Sequence, residues 1–84
     1  MFHSTHEAYG VIKEEKEEAQ SDQDSIDNSF QDFWFAVKCN NYDTQINCLH
    51  SLRDLALHGA AELVQVAAMA QKALDSMDAV YQHS

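Results

Sequence analysis

The chain has 84 residues, 45% of them apolar, and a net charge of −9 from 14 acidic and five basic residues. That length makes one domain, residues 1–84, and a chain so short is marginal on its own core. Five scattered basic residues exclude a phosphate-backbone binder, which needs clustered Lys and Arg, and equally an attraction to anionic lipid.

With no proline and only Gly10 and Gly59, the chain lacks the turn residues that connected strands require. Good helix formers dominate, so the expected class is all-α. The apolar surplus predicts an oligomer that buries it between chains, a homodimer or homotetramer. No segment reaches the ~18 consecutive apolar residues of a membrane span. The N-terminus turns polar within three residues and shows no secretory signal. Cys39 and Cys48 lack Cys-x-x-Cys spacing and are expected to be free thiols in a cytoplasmic protein, a disulfide being weakly suggested.

Three helices are predicted. The first opens at Ser4-Thr5-His6-Glu7, which has capping-box spacing, and runs to about Gln20. Ser21–Ser25 is a polar break rich in N-cap residues. The second helix carries Ile26, Phe30, Phe33, Trp34 and Val37 as an aromatic stripe, read as a core face or, less simply, a base-stacking surface. Phe35 lies off that stripe and hints at a second contact. Asn40-Asn41 suit a helix C-terminus, where asparagine tolerates the left-handed conformation, and Asp43 or Thr44 can cap the next helix.

The third helix runs from about Thr44 to Tyr81. Its apolar residues are Ile46, Leu49, Leu52, Ala56, Gly59, Leu63, Val66, Ala70, Ala73, Met77 and Val80. From Leu52 they recur at fours and threes, as in a heptad seam. Such a helix extends ~57 Å at 1.5 Å per residue, so either two chains share it or it bends at His58-Gly59. Gly59 is expected to permit close helix contact rather than to end the helix.

Two polar pairs interrupt the apolar pattern. On the first helix, Ala8, Val11, Glu15 and Glu18 fall on one stripe, which starts apolar and turns acidic. Carboxylates three apart are neighbours on a helix and repel unless a proton or cation lies between them. On the third, Glu62 and Gln65 stand alone in an apolar stretch from Ala60 to Ala70. An unpaired buried carboxylate costs several kcal/mol, so Glu62 sits at a solvated edge, pairs with a base or binds a metal. If the two helices pack antiparallel, four oxygen-bearing side chains converge, which suits a hard cation such as Mg²⁺. The plainer reading is two solvated faces. Glu17 and the Asp75-x-x-Asp78 pair read as solvated, and the five histidines, His50 and His58 among them, show no zinc spacing.

These residues resemble the MazG-like branch of the all-α nucleoside triphosphate pyrophosphohydrolases, especially its short prophage and bacterial members. The resemblance rests on His6-Glu7-Ala8-Tyr9-Gly10-Val11-Ile12-Lys13-Glu14-Glu15-Lys16-Glu17-Glu18 and on Glu62 to Ala70, together about a quarter of the chain. The family pattern is Glu-Glu-x-x-Glu followed by Glu-x-x-Asp. Glu14, Glu15 and Glu18 match the first part and Glu62 the glutamate of the second, while Gln65 departs from the aspartate. The resemblance implies a metal set of Glu14, Glu15, Glu18, Glu62 and Gln65 holding Mg²⁺ or Mn²⁺. Glu15 and Glu18 would be catalytic, the partner would be a nucleotide, and the fold would be an oligomeric four-helix-bundle-like core. Gln65 lowers the negative charge, so the alternative is a non-catalytic helical dimer that binds protein or, weakly, nucleotide.

Overall fold

Helix α1 spans Thr5–Lys38 and helix α2 spans Tyr42–His83. They are the two elements of a computed structural model that describes residues 4–83, with side chains through residue 79. The chain is all-helical, as expected, but has two helices where three are predicted. Val80, expected to close the last seam, and Tyr81, the expected end of the helix, have side chains outside the described residues.

Ser4 starts α1 as expected, its side chain accepting from the Glu7 amide at 3.1 Å. The predicted break at Ser21–Ser25 does not occur. Ser25 Oγ donates to the Ser21 carbonyl at 3.1 Å, and Gln20 Nε2 donates to Asp24 Oδ1 at 3.1 Å, so these polar groups are satisfied within the helix. Each such residue costs roughly 0.5 kcal/mol of helix propensity relative to alanine. Packing of α1 against α2 along its whole length offsets that, as tertiary contact generally overrides propensity.

The turn between the helices is Cys39-Asn40-Asn41. Asn40 has φ 56°, the left-handed conformation expected of asparagine here. Asn40 N–H donates to the Val37 carbonyl at 3.1 Å and Asn41 N–H to the Ala36 carbonyl at 3.0 Å, the paired bonds of a Schellman motif. Asn41 Oδ1 then accepts from the Thr44 amide at 3.1 Å and caps α2, in place of Asp43 or Thr44. Gln45 Nε2 reaches back to the Ala36 carbonyl at 3.3 Å. Cross-helix neighbours run in opposite directions, Gln45 by Ala36 and His58 by Asp22, so the hairpin is antiparallel.

The helices meet along one seam on each. On α1 it is Ala8, Ile12, Glu15, Ala19, Asp22, Ile26, Ser29, Phe33 and Ala36, all buried or half-buried, at alternating steps of four and three. On α2 the seam runs through Gln45, Cys48, Leu52, Leu55, Gly59, Glu62, Val66, Met69, Ala73 and Ser76, with the same alternation, and Ala70 and Ala79 are half-buried beside it. This is the spacing of an antiparallel coiled-coil pair.

The α2 seam corrects the expected one. Leu52, Gly59, Val66 and Ala73 face inward as predicted. The second inward column is Cys48, Leu55, Glu62, Met69 and Ser76, whereas Leu49, Ala56, Leu63 and Met77 are exposed. Sequence favours the outer column because it is the more apolar; the inner column contains Glu62. The aromatic stripe divides likewise: Ile26, Phe33 and Val37 are half-buried, but Phe30 and Trp34 are 61% and 58% exposed. Among the described residues the buried hydrophobics are only Ala8 and Ala36.

α2 passes through Gly59 without ending. A Cβ on Gly59 would lie 3.5 Å from Asp22 Cβ, an ordinary contact, so the helices approach closely there. The hairpin measures 66 × 16 × 12 Å. Among the described residues no helix is long and apolar enough to cross a membrane.

Because alanine fits that contact and gains about 1 kcal/mol of helix propensity over glycine, Gly59→Ala is expected to raise the thermal midpoint by about 4–8 °C. Gly59→Leu forces the helices apart and lowers it. Melting followed by circular dichroism at 222 nm reads both, and a lower midpoint for the alanine variant would contradict the open contact.

Candidate metal centre

The seam carries its charge in one place. Glu15 sits on the inward face of α1, with Glu18 one turn further on at the seam's edge. From α2, Glu62 enters between them because its column faces inward. Oxygens of these three carboxylates lie within 4.8 Å of one another. Glu15 and Glu62 are half-buried and Glu18 is exposed.

Three anionic oxygens so close oppose full ionisation. Glu62 relieves this by holding its proton: its pKa is raised from 4.5 to about 7. The largest cause is the hydrogen bond its protonated carboxyl donates to Glu15, followed by that to Glu18, then by partial burial and the two neighbouring charges. In this form the cluster bridges the two helices.

A second polar link lies beside it. His58 Nδ1 is 2.7 Å from Asp22 Oδ2, and His58 Nε2 is 3.9 Å from Glu62 Oε1. The hydrogen bond to Asp22, and then its charge, raise the His58 pKa above 6.5, with Glu62 and Glu18 adding to the effect and desolvation opposing it. The imidazole thus lies between the Asp22 carboxylate and Glu62 of the acidic trio. Sequence reasoning misses this pair. Asp22 falls in a stretch that reads as a break, and His58 looks isolated until α1 is continuous. Its one signal is spacing: Asp22 follows Glu18, and Glu62 follows His58, by four residues, one helical turn.

Of the five predicted ligands, the structure brings together Glu15, Glu18 and Glu62. Glu14 is not part of the trio, and Glu14 and Gln65 are both exposed. Donor chemistry and spread suit one hard cation: ligand oxygens at ~2.0–2.6 Å from a shared ion lie at most ~5 Å apart. The cation and the Glu62 proton would compete for the same space.

Cations for a phosphate ligand are sparser. Lys13 Nζ lies 3.7 Å from Glu17, whose exposed carboxylate is solvated as expected, and Arg53 Nε is 3.1 Å from Asp54. Lys38 Nζ sits over the Trp34 and Phe35 rings at 5.7 and 5.9 Å from their centroids. Asp75 accepts from Gln71 at 2.8 Å on an exposed face, in keeping with its solvated reading. Cys39 and Cys48 are free thiols. No family model, no curated protein and no solved structure matches the chain.

The Glu62 proton sets a pH dependence. Between about 4.5 and 7 the folded chain holds a proton that the unfolded chain releases, so stability is greatest below that window and falls as pH rises through it. His58, also raised, acts in the same direction over its own range. Glu62→Gln, which cannot ionise, is expected to flatten this decline and to be more stable than the native chain at pH 8. Urea midpoints at pH 5 and pH 8 measure it; parallel declines in the two proteins would place the proton elsewhere.

Proposed function

We propose that the chain is a Mg²⁺-dependent nucleoside triphosphate pyrophosphohydrolase-like protein whose cation site lies between α1 and α2. The observation that carries the reading is the convergence of Glu15, Glu18 and Glu62 from two helices onto one small volume. The reaction class comes from the resemblance of the Glu14–Glu18 and Glu62–Ala70 segments to MazG-like enzymes. The nucleotide is the substrate, the working unit is a homodimer or homotetramer, and the setting is cytoplasmic, where Cys39 and Cys48 stay reduced.

When bound, Mg²⁺ or Mn²⁺ supplies the charge that holds a triphosphate and lowers the pKa of water. The chain's own part is definable. Glu15 and Glu18 offer anionic oxygens from α1, and Glu62 releases its proton and adds a third from α2. His58, held by Asp22 at 2.7 Å, places an imidazole 3.9 Å from Glu62 at the edge of the trio. Glu14 and Gln65, the other two members of the set that the resemblance implies, are exposed.

One observation favours a second reading, a non-catalytic helical module. Lys13, Lys38 and Arg53 are engaged by Glu17, the Trp34 ring and Asp54 rather than by the trio. A triphosphate would then not draw on these three cations and would depend more on metal charge. In that case the site is a structural cation site, and the exposed Phe30, Trp34 and Phe35 serve protein contact.

Millimolar Mg²⁺ is expected to raise the thermal midpoint of the native chain and not that of Glu15→Gln. A cation at ~100 times its dissociation constant stabilises by about 2.7 kcal/mol. Pyrophosphate release from a nucleotide panel with Mg²⁺ or Mn²⁺ should fall at least about 100-fold in Glu15→Gln, since even indirect supports of a metal site cost 10–100-fold. A Mg²⁺-stabilised chain that releases no pyrophosphate supports the second reading; a midpoint indifferent to Mg²⁺ overturns both.

A further inference from the structure

The seam of the hairpin is apolar toward its two ends and polar between them. Two contacts fix its register. Gln45 Nε2 donates to the Ala36 carbonyl at 3.3 Å, and Gly59 lies against Asp22, where an added Cβ would be 3.5 Å from Asp22 Cβ. The common steps of three and four then set Phe33 opposite Cys48, Ile26 opposite Leu55, Ala19 opposite Glu62, Ile12 opposite Met69 and Ala8 opposite Ala73. Toward the turn the seam holds Phe33, Ile26, Leu52 and Leu55. Toward the free ends it holds Ile12, Met69 and Val66 among alanines.

The stretch between these two groups is long. In residues 13–25 of α1 the only apolar residue is Ala19. On α2 the inward residues between Leu55 and Val66 are Gly59 and Glu62. At 1.5 Å per residue, roughly 16–21 Å of seam has no large apolar contact. It carries instead the carboxylate trio and the Asp22–His58 link, in which the histidine is exposed. Exposed polar links contribute little, so the apolar packing of one end is not continuous with that of the other.

The two ends also differ in how they are held. The closed end has the tied turn, and its facing residues are near in sequence. Ala8 and Ala73 meet cheaply only after the closed end has formed, because a loop that brought them together alone would cost more entropy. The open end therefore depends on the closed end, and the closed end does not depend on it.

We propose that the open end, residues 5–18 of α1 against residues 62–79 of α2, parts and re-forms as a unit while the closed end stays paired. The carboxylate trio lies on the dividing line. Glu15 and Glu18 belong to the parting arm of α1, so opening carries them away from Glu62 and closing assembles the trio. The arm is a strap that makes or disperses the site of the function proposed above. The inference goes beyond that function, since it rests on the make-up of the seam and on no cation or nucleotide.

Hydrogen exchange of the native chain in EDTA, read by mass spectrometry, tests the division. A parted arm of about 14 residues is too short to hold its helix alone in water, so its amides exchange when it opens. Amides of residues 9–16 and 66–74 should share one level of protection, at least about tenfold below that of residues 26–36 and 46–56. Met69→Ala, which truncates the partner of Ile12, should speed exchange of the open end roughly tenfold and leave the closed end as it was. Leu55→Ala, opposite Ile26, should speed both. Equal protection at the two ends, a smooth gradient toward the termini, or a Met69→Ala chain in which both ends speed up alike overturns the proposal. If a variant does not fold, the native comparison alone decides. Because no metal is present, failure here leaves the cation site to its own test, and a chain indifferent to Mg²⁺ can still part along this line.

Discussion

Two helices share one line of contact, and nearly everything else about this chain depends on how narrow that line is. A residue on the line is covered by its opposite number; a residue one step off it meets water. A bundle of four helices gives each helix two or three neighbours and a closed interior. A hairpin gives each helix one. Among the described residues only alanine and glycine are small enough to be fully enclosed, which is why Ala8, Ala36 and Gly59 are the buried positions there and the large side chains lie half-covered or exposed. The hydrophobic stabilisation within one chain is correspondingly modest.

The same narrowness explains how carboxylates occupy the seam at all. A fully enclosed glutamate would face the several-kcal/mol desolvation cost of an unpaired buried charge. In a hairpin the seam is open at both flanks, so Glu15 and Glu62 are partly wet while still meeting across the helices. Water lowers the cost of the charge, and proximity of the opposite helix still forces the three acids to share a proton. Asp22 with His58 extends the polar section by one turn. The middle of the hairpin is thus held by hydrogen bonds and charge, and its two ends by Ile12, Phe33, Leu52, Met69 and their neighbours.

Much of this is legible in the sequence, and the rest is hidden for physical reasons. The helical class, the Ser4 cap, the left-handed Asn40 and the passage of α2 through Gly59 obey local rules that no distant contact overrides. Glu15, Glu18 and Glu62 stand out because acids at inward spacing are conspicuous. Ser21–Ser25 misleads because side chains that favour caps also bond within a helix when packing holds it. The inner column of α2 misleads for a related reason. Periodicity finds the most apolar stripe, and in a chain with two stripes that one need not face its own partner helix. Asp22 and His58 become visible only once α1 is continuous, since their one signal, a spacing of one helical turn from Glu18 and Glu62, means nothing while Asp22 reads as part of a break.

The turn acts as a ruler. Cys39, Asn40 and Asn41 leave no slack: their backbone amides are tied to α1, and the Asn41 side chain is tied to α2. Heptad seams by themselves are indifferent to sliding, because a shift of seven residues restores the pattern of columns. Here such a slip would keep apolar facing apolar over much of the seam yet carry Glu62 away from Glu15 and Glu18. The short linker removes that freedom. It indexes the helices tooth by tooth, so the meeting of three repelling acids midway along the rod is dictated from its closed end, by asparagines far from those acids.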